Sequence, residues 1–392
     1  MNYILFEKDT DQIRPFSDLH ASFELLTGVF DNIQRLNRSI SANDTIQLFV
    51  RSDIEDLIKH KYPDFDVNPD YFEPGIYLNG NCLWYPEDLI LIKENRSYSN
   101  IHGIVAFHTD SKIELNDLTS YIARQSQLST KLDSVISINY IWDLFDILDQ
   151  SIGLDFSLMN TSKQGDIHPS CILIKDENII INDKATICAG AVLDASEGPV
   201  IIDSNTYIDI GCLIKGPVYI GNNTKINPGT KLNGSVSIGS FCKIGGEVED
   251  SVIQGFSNKQ HDGFLGHSYV GEWVNLGANT NTSDLKNNYS NVKFFTNEDD
   301  FIDTGKMFIG SIIGDFTRTA IGTKLNTGTY IGVGSNLFDD GFQNKFVPSF
   351  SWGKNDRIGL NRFIKSIDKA MNRRNCKMPV SLKNRLIAIY KK

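Results

Sequence analysis

From Ile202 onward, every sixth residue is aliphatic: Ile202, Ile208, Ile214, Ile220, Ile226, Leu232, Ile238 and Ile244. Ile181, Ile187 and Leu193 form the same series one phase earlier. Phe264, Val270 and Leu276 resume it after an interruption, and Met307, Ile313, Thr319, Leu325, Ile331 and Leu337 continue it with one polar exception. With aliphatics at roughly one position in four, eight in a row would arise by chance about once in 65,000 trials. Helices repeat every 3.6 residues and strands every two. A period of six belongs to the hexapeptide β-helix, in which six residues make one short strand and one turn. Glycine often follows the aliphatic, as in Ile220-Gly221, Ile238-Gly239 and Ile331-Gly332. Three such strands close a triangular coil, and stacked coils share one column of Ile, Val and Leu. The pattern predicts such a prism over residues 165–345.

The breaks in the pattern fall at 194–200, 254–263 and 283–306. In a solenoid, insertions leave the column as loops on one face, often the binding face. After Asp340 the period vanishes. Residues 355–392 are basic and amphipathic with a break at Pro379, and they predict two short helices capping the open end of the prism. Attachment to a membrane surface is the sharper alternative for this segment. Residues 1–160 read as an α/β domain: strands at "NYILFE" and "TIQLFVRS", a helix at "DIEDLIKHKY", a hairpin turning at Asn-Gly within 75–93, a strand at 100–110, and helical pattern from Leu118 on.

The net charge of -10 argues against nucleic acid as the main partner, since phosphate backbones need a basic face. Six cysteines without a CxxC pair argue against a disulfide framework or a zinc site, and point to reduced thiols in the cytoplasm. The N-terminus does not read as a signal peptide, and no stretch reaches about 18 apolar residues.

One stretch carries recognisable chemistry. His261-Asp262-Gly263-Phe264-Leu265-Gly266, then Val270-Gly271, then Val274-Asn275-Leu276-Gly277-Ala278-Asn279-Thr280 resembles the acetyltransferase domain of the bacterial bifunctional UDP-N-acetylglucosamine pyrophosphorylase/glucosamine-1-phosphate N-acetyltransferase family. The whole chain is similar to a sugar nucleotidyltransferase-like branch of that family, with a shortened N-terminal domain ahead of the β-helix. The resemblance implies a left-handed parallel β-helix, threefold trimers with sites between adjacent prisms, and acetyl-CoA as cosubstrate. It places His261 at the general base, Asn275, Asn288, Tyr289 and Phe264 at the acceptor sugar, and Gly277 and Ala278 at the acyl-CoA. Phe264 stands where the family has a tyrosine. His267 inherits no role, because the family has an acidic residue there. The family's Gly-rich nucleotide loop is missing from the N-terminus, and no glycine precedes Gly28. Arg14 remains as a side-chain fork for phosphate, and Mg2+ is implied only if that domain is active.

The residues support the same chemistry independently. Acyl transfer from a thioester needs a base for the acceptor's proton, and a neutral imidazole suits that near pH 7. No nucleophilic Ser or Cys motif accompanies His261, which favours direct transfer. Lys259 and Lys293 are candidates for substrate phosphates. The expectation is therefore a sugar-phosphate or nucleotide-sugar acyltransferase, with nucleotidyl transfer as a possible second activity. The competing class is a regulatory relative that only binds a sugar nucleotide. A β-helical carbonic anhydrase is disfavoured, because it needs three histidine ligands around zinc.

Overall fold

The computed structural model describes residues 1–160 and 162–392. The chain forms two compact units. One comprises residues 1–25, 30–140 and 377–392; the other comprises 26–29 and 141–376.

The first unit is built on a seven-stranded sheet. Its strands run, from one edge to the other, Asp66–Val67, Thr45–Phe49, Asn2–Phe6, Gly75–Asn79, Gly103–Thr109, Ser97–Asn100 and Thr130–Lys131. Asn2–Phe6 is an inner strand, parallel to both neighbours, and Ile4, Leu5 and Phe6 are fully buried. That burial explains why this strand reads as a continuous apolar run rather than an alternating one. The hairpin expected within 75–93 does not form. Gly75–Asn79 pairs instead with Gly103–Thr109, and the second half of the stretch starts a short helix at Pro86. Proline cannot donate to a ladder but suits the first turn of a helix.

The second unit is a parallel β-helix. Three strand stacks run along it, and every pairing between successive coils is parallel. Ile187, Ile208, Ile226 and Ile244 stack in one face, Leu193, Ile214 and Leu232 in the second, and Ile202, Ile220 and Ile238 in the third. All ten belong to one buried cluster. The period of six thus maps directly onto the three faces.

Beyond Ile244 the phase slips. The turn at Gly245-Gly246 is short, so Val248 follows Ile244 inward, then Ile253, and then Lys259. Leu265 takes the next inward place, opposite Val248, and Phe264 points outward. Assigning Phe264 to the column was wrong by one residue, because the step from Leu265 to the inward Val270 spans five residues rather than six. Met307 also lies outside the column, at 41% exposure.

The expected cap at 355–392 divides between the units. Helix Leu360–Asn372 buries Phe363, Ile367 and Met371, and Phe363 packs edge-on against Phe350, 5.1 Å away. Helix Val380–Lys391 belongs to the first unit, where Arg385 donates to the Asp18 carbonyl at 2.8 Å and pairs with Asp53 at 2.6 Å. The expected boundary near 160 falls at 140/141 instead. Helix Leu144–Ser157 goes with the β-helix: Asp155 accepts from the Val29 amide at 2.8 Å, and Lys306 pairs with Asp146.

Candidate active site

His261 sits where the first strand stack turns into the second. On that corner, residues from successive coils lie above one another. Asn227, Gly245 and Gln260 are joined by short contacts and Ala278 lies on the next coil: the Gly245 amide donates to the Lys259 carbonyl at 2.6 Å, and the Asn227 side chain donates to the Gln260 carbonyl at 2.8 Å. With Pro228, Gly246, His261, Asp262 and Asn279 they line a cleft of about 560 Å³.

Two glycines set the turn that presents His261. Gly246 has φ of 75°, and a Cβ there would lie 2.8 Å from the His261 carbonyl and 2.9 Å from the Lys259 amine. Gly263 has φ of 128°, and a Cβ there would meet the Thr280 carbonyl at 2.2 Å. The Asn279 amide closes the turn on the Asp262 carbonyl at 2.9 Å. The imidazole is exposed, and among the described residues none hydrogen-bonds to it. It can therefore accept a proton from a bound molecule. No serine, threonine or cysteine lines the cleft.

Lys259 does something other than meet a substrate phosphate. Its side chain takes an inward place in the column and is 4% exposed. The amine donates to the Gly245 carbonyl at 2.7 Å and the His261 carbonyl at 3.1 Å. Burial pushes its pKa down to about 8, opposed by the charges of Asp262 and Glu247. It braces the turn from inside the prism, where a charge is costly to desolvate.

The other expected residues scatter. Ala278 lines the cleft. Gly277 stands behind it, its amide donating to the Thr319 hydroxyl at 2.9 Å and its Cα too close to the Ala320 carbonyl to carry a side chain. Asn275 accepts from the Asn258 side chain at 3.2 Å and lines the cavity beneath helix Leu360–Asn372. Phe264 folds its ring over Gly266. Asn288 and Tyr289 are exposed on the 283–306 insertion, and the Lys293 amine lies 4.0 Å above the Phe301 ring. None of these four lines the His261 cleft of its own chain. In the first unit, Arg14 is committed to Asp18 at 2.8 Å.

Sequence reasoning missed Asn227, Gln260 and Asn279. Reading the corner from coil to coil, rather than along the chain, would have found them. It also missed the surroundings of His267. That ring places Nδ1 2.8 Å from Asp284 and Nε2 3.5 Å from Asp250. Phe308 stacks on it at 5.1 Å. Burial and then the Asp250 charge push the adjacent Glu249 carboxyl above its ordinary value.

Residues 3–164 match the family model for sugar nucleotidyl transferases. A bifunctional sugar-1-phosphate nucleotidylyltransferase/acetyltransferase of Sulfurisphaera tokodaii is 33% identical over 107 residues, which is 27% of this chain and 26% of that protein. The chain thus matches about a quarter of that relative's length. Among solved structures, a UDP-N-acetylglucosamine acyltransferase aligns over 57% of this chain and 86% of its own, at 20% identity and a TM-score of 0.31. The Francisella novicida UDP-N-acetylglucosamine acyltransferase aligns over 57% and 74%, at 14% identity and a TM-score of 0.25. No helix among the described residues is long and apolar enough to cross a membrane.

Proposed function

We propose that this chain, whose first domain matches the sugar nucleotidyl transferases and whose second is a parallel β-helix, is an acyltransferase acting on a sugar phosphate or nucleotide sugar, with acetyl-CoA as donor. The observation that carries this reading is the unbonded imidazole of His261 in a cleft without a side-chain nucleophile. His261 takes the proton of the acceptor amine or hydroxyl as that atom attacks the thioester carbonyl. A backbone N–H of the corner turns stabilises the oxyanion. The new C–N or C–O bond forms, the C–S bond breaks, and the departing thiolate recovers the proton from the imidazolium. The insertion bearing Asn288, Tyr289 and Lys293 lies away from its own His261, so it reaches a cleft only across a trimer interface. Six free cysteines support a reducing, cytoplasmic setting.

The family match over residues 3–164 supports nucleotidyl transfer with Mg2+ as a second activity. The pairing of Arg14 with Asp18 weighs against it, since a phosphate would have to displace that carboxylate. The test is a panel of hexosamine phosphates and nucleotide sugars, with acetyl-CoA and release of the CoA thiol as readout. Pyrophosphate release from UTP and dTTP is measured in parallel. Thiol release that is lost in His261→Ala is the expected result. Binding of a sugar nucleotide without either product would overturn the reading in favour of a non-catalytic relative.

A further inference from the structure

Beneath helix Leu360–Asn372 lies a cavity of about 920 Å³ that the chemistry at His261 does not use. Its wall on the β-helix carries Lys243 and Arg318, outward-facing in the first stack and three coils apart, with Asn258 and Asn275 on the coils between them. The helix supplies Arg362, Lys365 and Lys369 to the same space, followed by Arg373 and Arg374. Seven cations thus face one cavity, and no carboxylate lines it. The chain as a whole carries a net charge of -10, so this concentration runs against its composition.

The usual fate of a surface charge run is solvation or pairing. Here the two guanidiniums nearest the β-helix are half-buried and bonded only to neutral groups. Arg318 donates to the Ser366 hydroxyl and, at 3.5 Å, to the Ser366 carbonyl. Arg374 donates to the Phe241 carbonyl and, at 2.6 Å, to Asn258 Oδ1. Burial pushes both below the ordinary arginine value. On the helix, Lys365 and Lys369 are four residues apart, as are Lys369 and Arg373, a spacing at which like charges repel. An anion in the cavity would offset all of these costs at once.

We propose that this cavity binds a small molecule carrying two or more phosphate groups. One phosphate would engage only a few of the seven cations, and guanidinium forks suit phosphate oxygens in particular. The volume matches that of nucleotide-sized ligands. The edges of Phe256 and Trp273, stacked on each other at 4.6 Å, add an apolar patch to the lining. Coenzyme A and nucleoside triphosphates share this chemistry. Gln260 lines both this cavity and the His261 cleft, which makes the two sites neighbours on one chain.

Calorimetric titration of the full chain tests this with inorganic tripolyphosphate, coenzyme A and UTP, each at low and high salt. At least one should bind one-to-one, more weakly at high salt. Arg318→Gln and, separately, Lys369→Gln on the exposed helix face should each weaken binding about tenfold or more, the worth of a lost charged partner. His261→Ala should bind as the parent does, which separates this site from the acyl-transfer reading. Tightest binding of coenzyme A would identify the donor's phosphate-bearing end as the occupant, and tightest binding of UTP would identify a nucleotide. The proposal is overturned if none of the three binds, if neither substitution weakens binding, or if only an acidic polypeptide such as polyglutamate binds.

Discussion

The β-helix has two halves that obey different rules. From Ile202 to Ile244 every inward place is aliphatic, every coil is closed by six-residue steps, and the column is fully buried. From Gly245 to Thr282 the steps shorten, a lysine occupies an inward place, and two histidines sit at the corners. The inward places of the regular half serve burial alone, and only outward residues such as Asn227 and Pro228 reach the cleft. The irregular half gives up some of that burial to build a turn of fixed shape. This is the expected relation between a solenoid and its site: regular coils supply rigidity, and departures from the repeat supply chemistry.

The sharpest way to break this comparison is to change one residue in each half. His261→Ala should lower acyl transfer by about 10²–10⁴-fold, the usual worth of a positioned base. Its urea midpoint should stay near the parent's, because an exposed ring leaves no cavity. Ile226→Ala, in the regular half, should do the opposite. It removes a fully buried side chain and should lower unfolding free energy by about 2–5 kcal/mol. The rate per folded molecule should be unchanged. If Ile226→Ala abolished activity while its fold survived, the regular half would be more than a scaffold.

Lys259 sharpens the comparison through pH. In the unfolded chain its amine titrates at its ordinary value of 10.5, and in the folded chain at about 8. Between those values the unfolded state holds one more proton than the folded state. Stability therefore rises with pH across that window, and below it the group adds no further pH dependence. A gap of that size corresponds to about 3 kcal/mol. Urea unfolding at pH 7 and pH 10 should show this rise in the parent, relative to Lys259→Met, which has no amine to titrate. Equal pH dependence in the two proteins would mean that the amine reaches solvent. Gly246→Ala should cost about 1–3 kcal/mol, since it needs a positive φ in a space already filled by Lys259 and His261. Circular dichroism melts would measure this, and transfer activity should fall with it.

How much of this was legible in the sequence follows the same division. The column from Ile202 to Ile244 was readable because one period governs it. The register after Gly245 was not, because two glycines shorten a turn and no counting from either side reveals where the phase slips. Phe264 and Leu265 exchanged places because the inward step from Leu265 to Val270 is also short, at five residues. Lys259 looked like a surface cation because sequence gives its type but not its side of the strand. The final helices were read correctly as helices, but nothing local to them says that Val380–Lys391 carries Arg385 to Asp18 and Asp53 in the first unit. The position of His261 at a turn between coils followed from its spacing, while the cleft around it comes from coils about 18 residues apart in sequence.

The smallest expected effect concerns the other histidine, and it tests the choice between them. A carboxylate beside an imidazole is a familiar way to orient a base, and His267 has two. A base, however, needs one nitrogen turned toward the substrate. At His267, Nδ1 is engaged by Asp284 and Nε2 faces Asp250. Phe308 covers one side of the ring, and Phe145 approaches it edge-on at 6.2 Å. Such a ring ties the root of the 283–306 insertion to the preceding coil, with a carboxylate facing each nitrogen. His267→Ala would leave Asp250 and Asp284 facing each other across a gap, a local cost of about 1 kcal/mol in urea unfolding. The rate of acyl transfer should stay close to the parent's, far from the loss in His261→Ala. If His267→Ala were instead the inactive variant, one of the two carboxylates would have to swing away in the working enzyme. The braced imidazole would then be the base, and the exposed one only a turn residue.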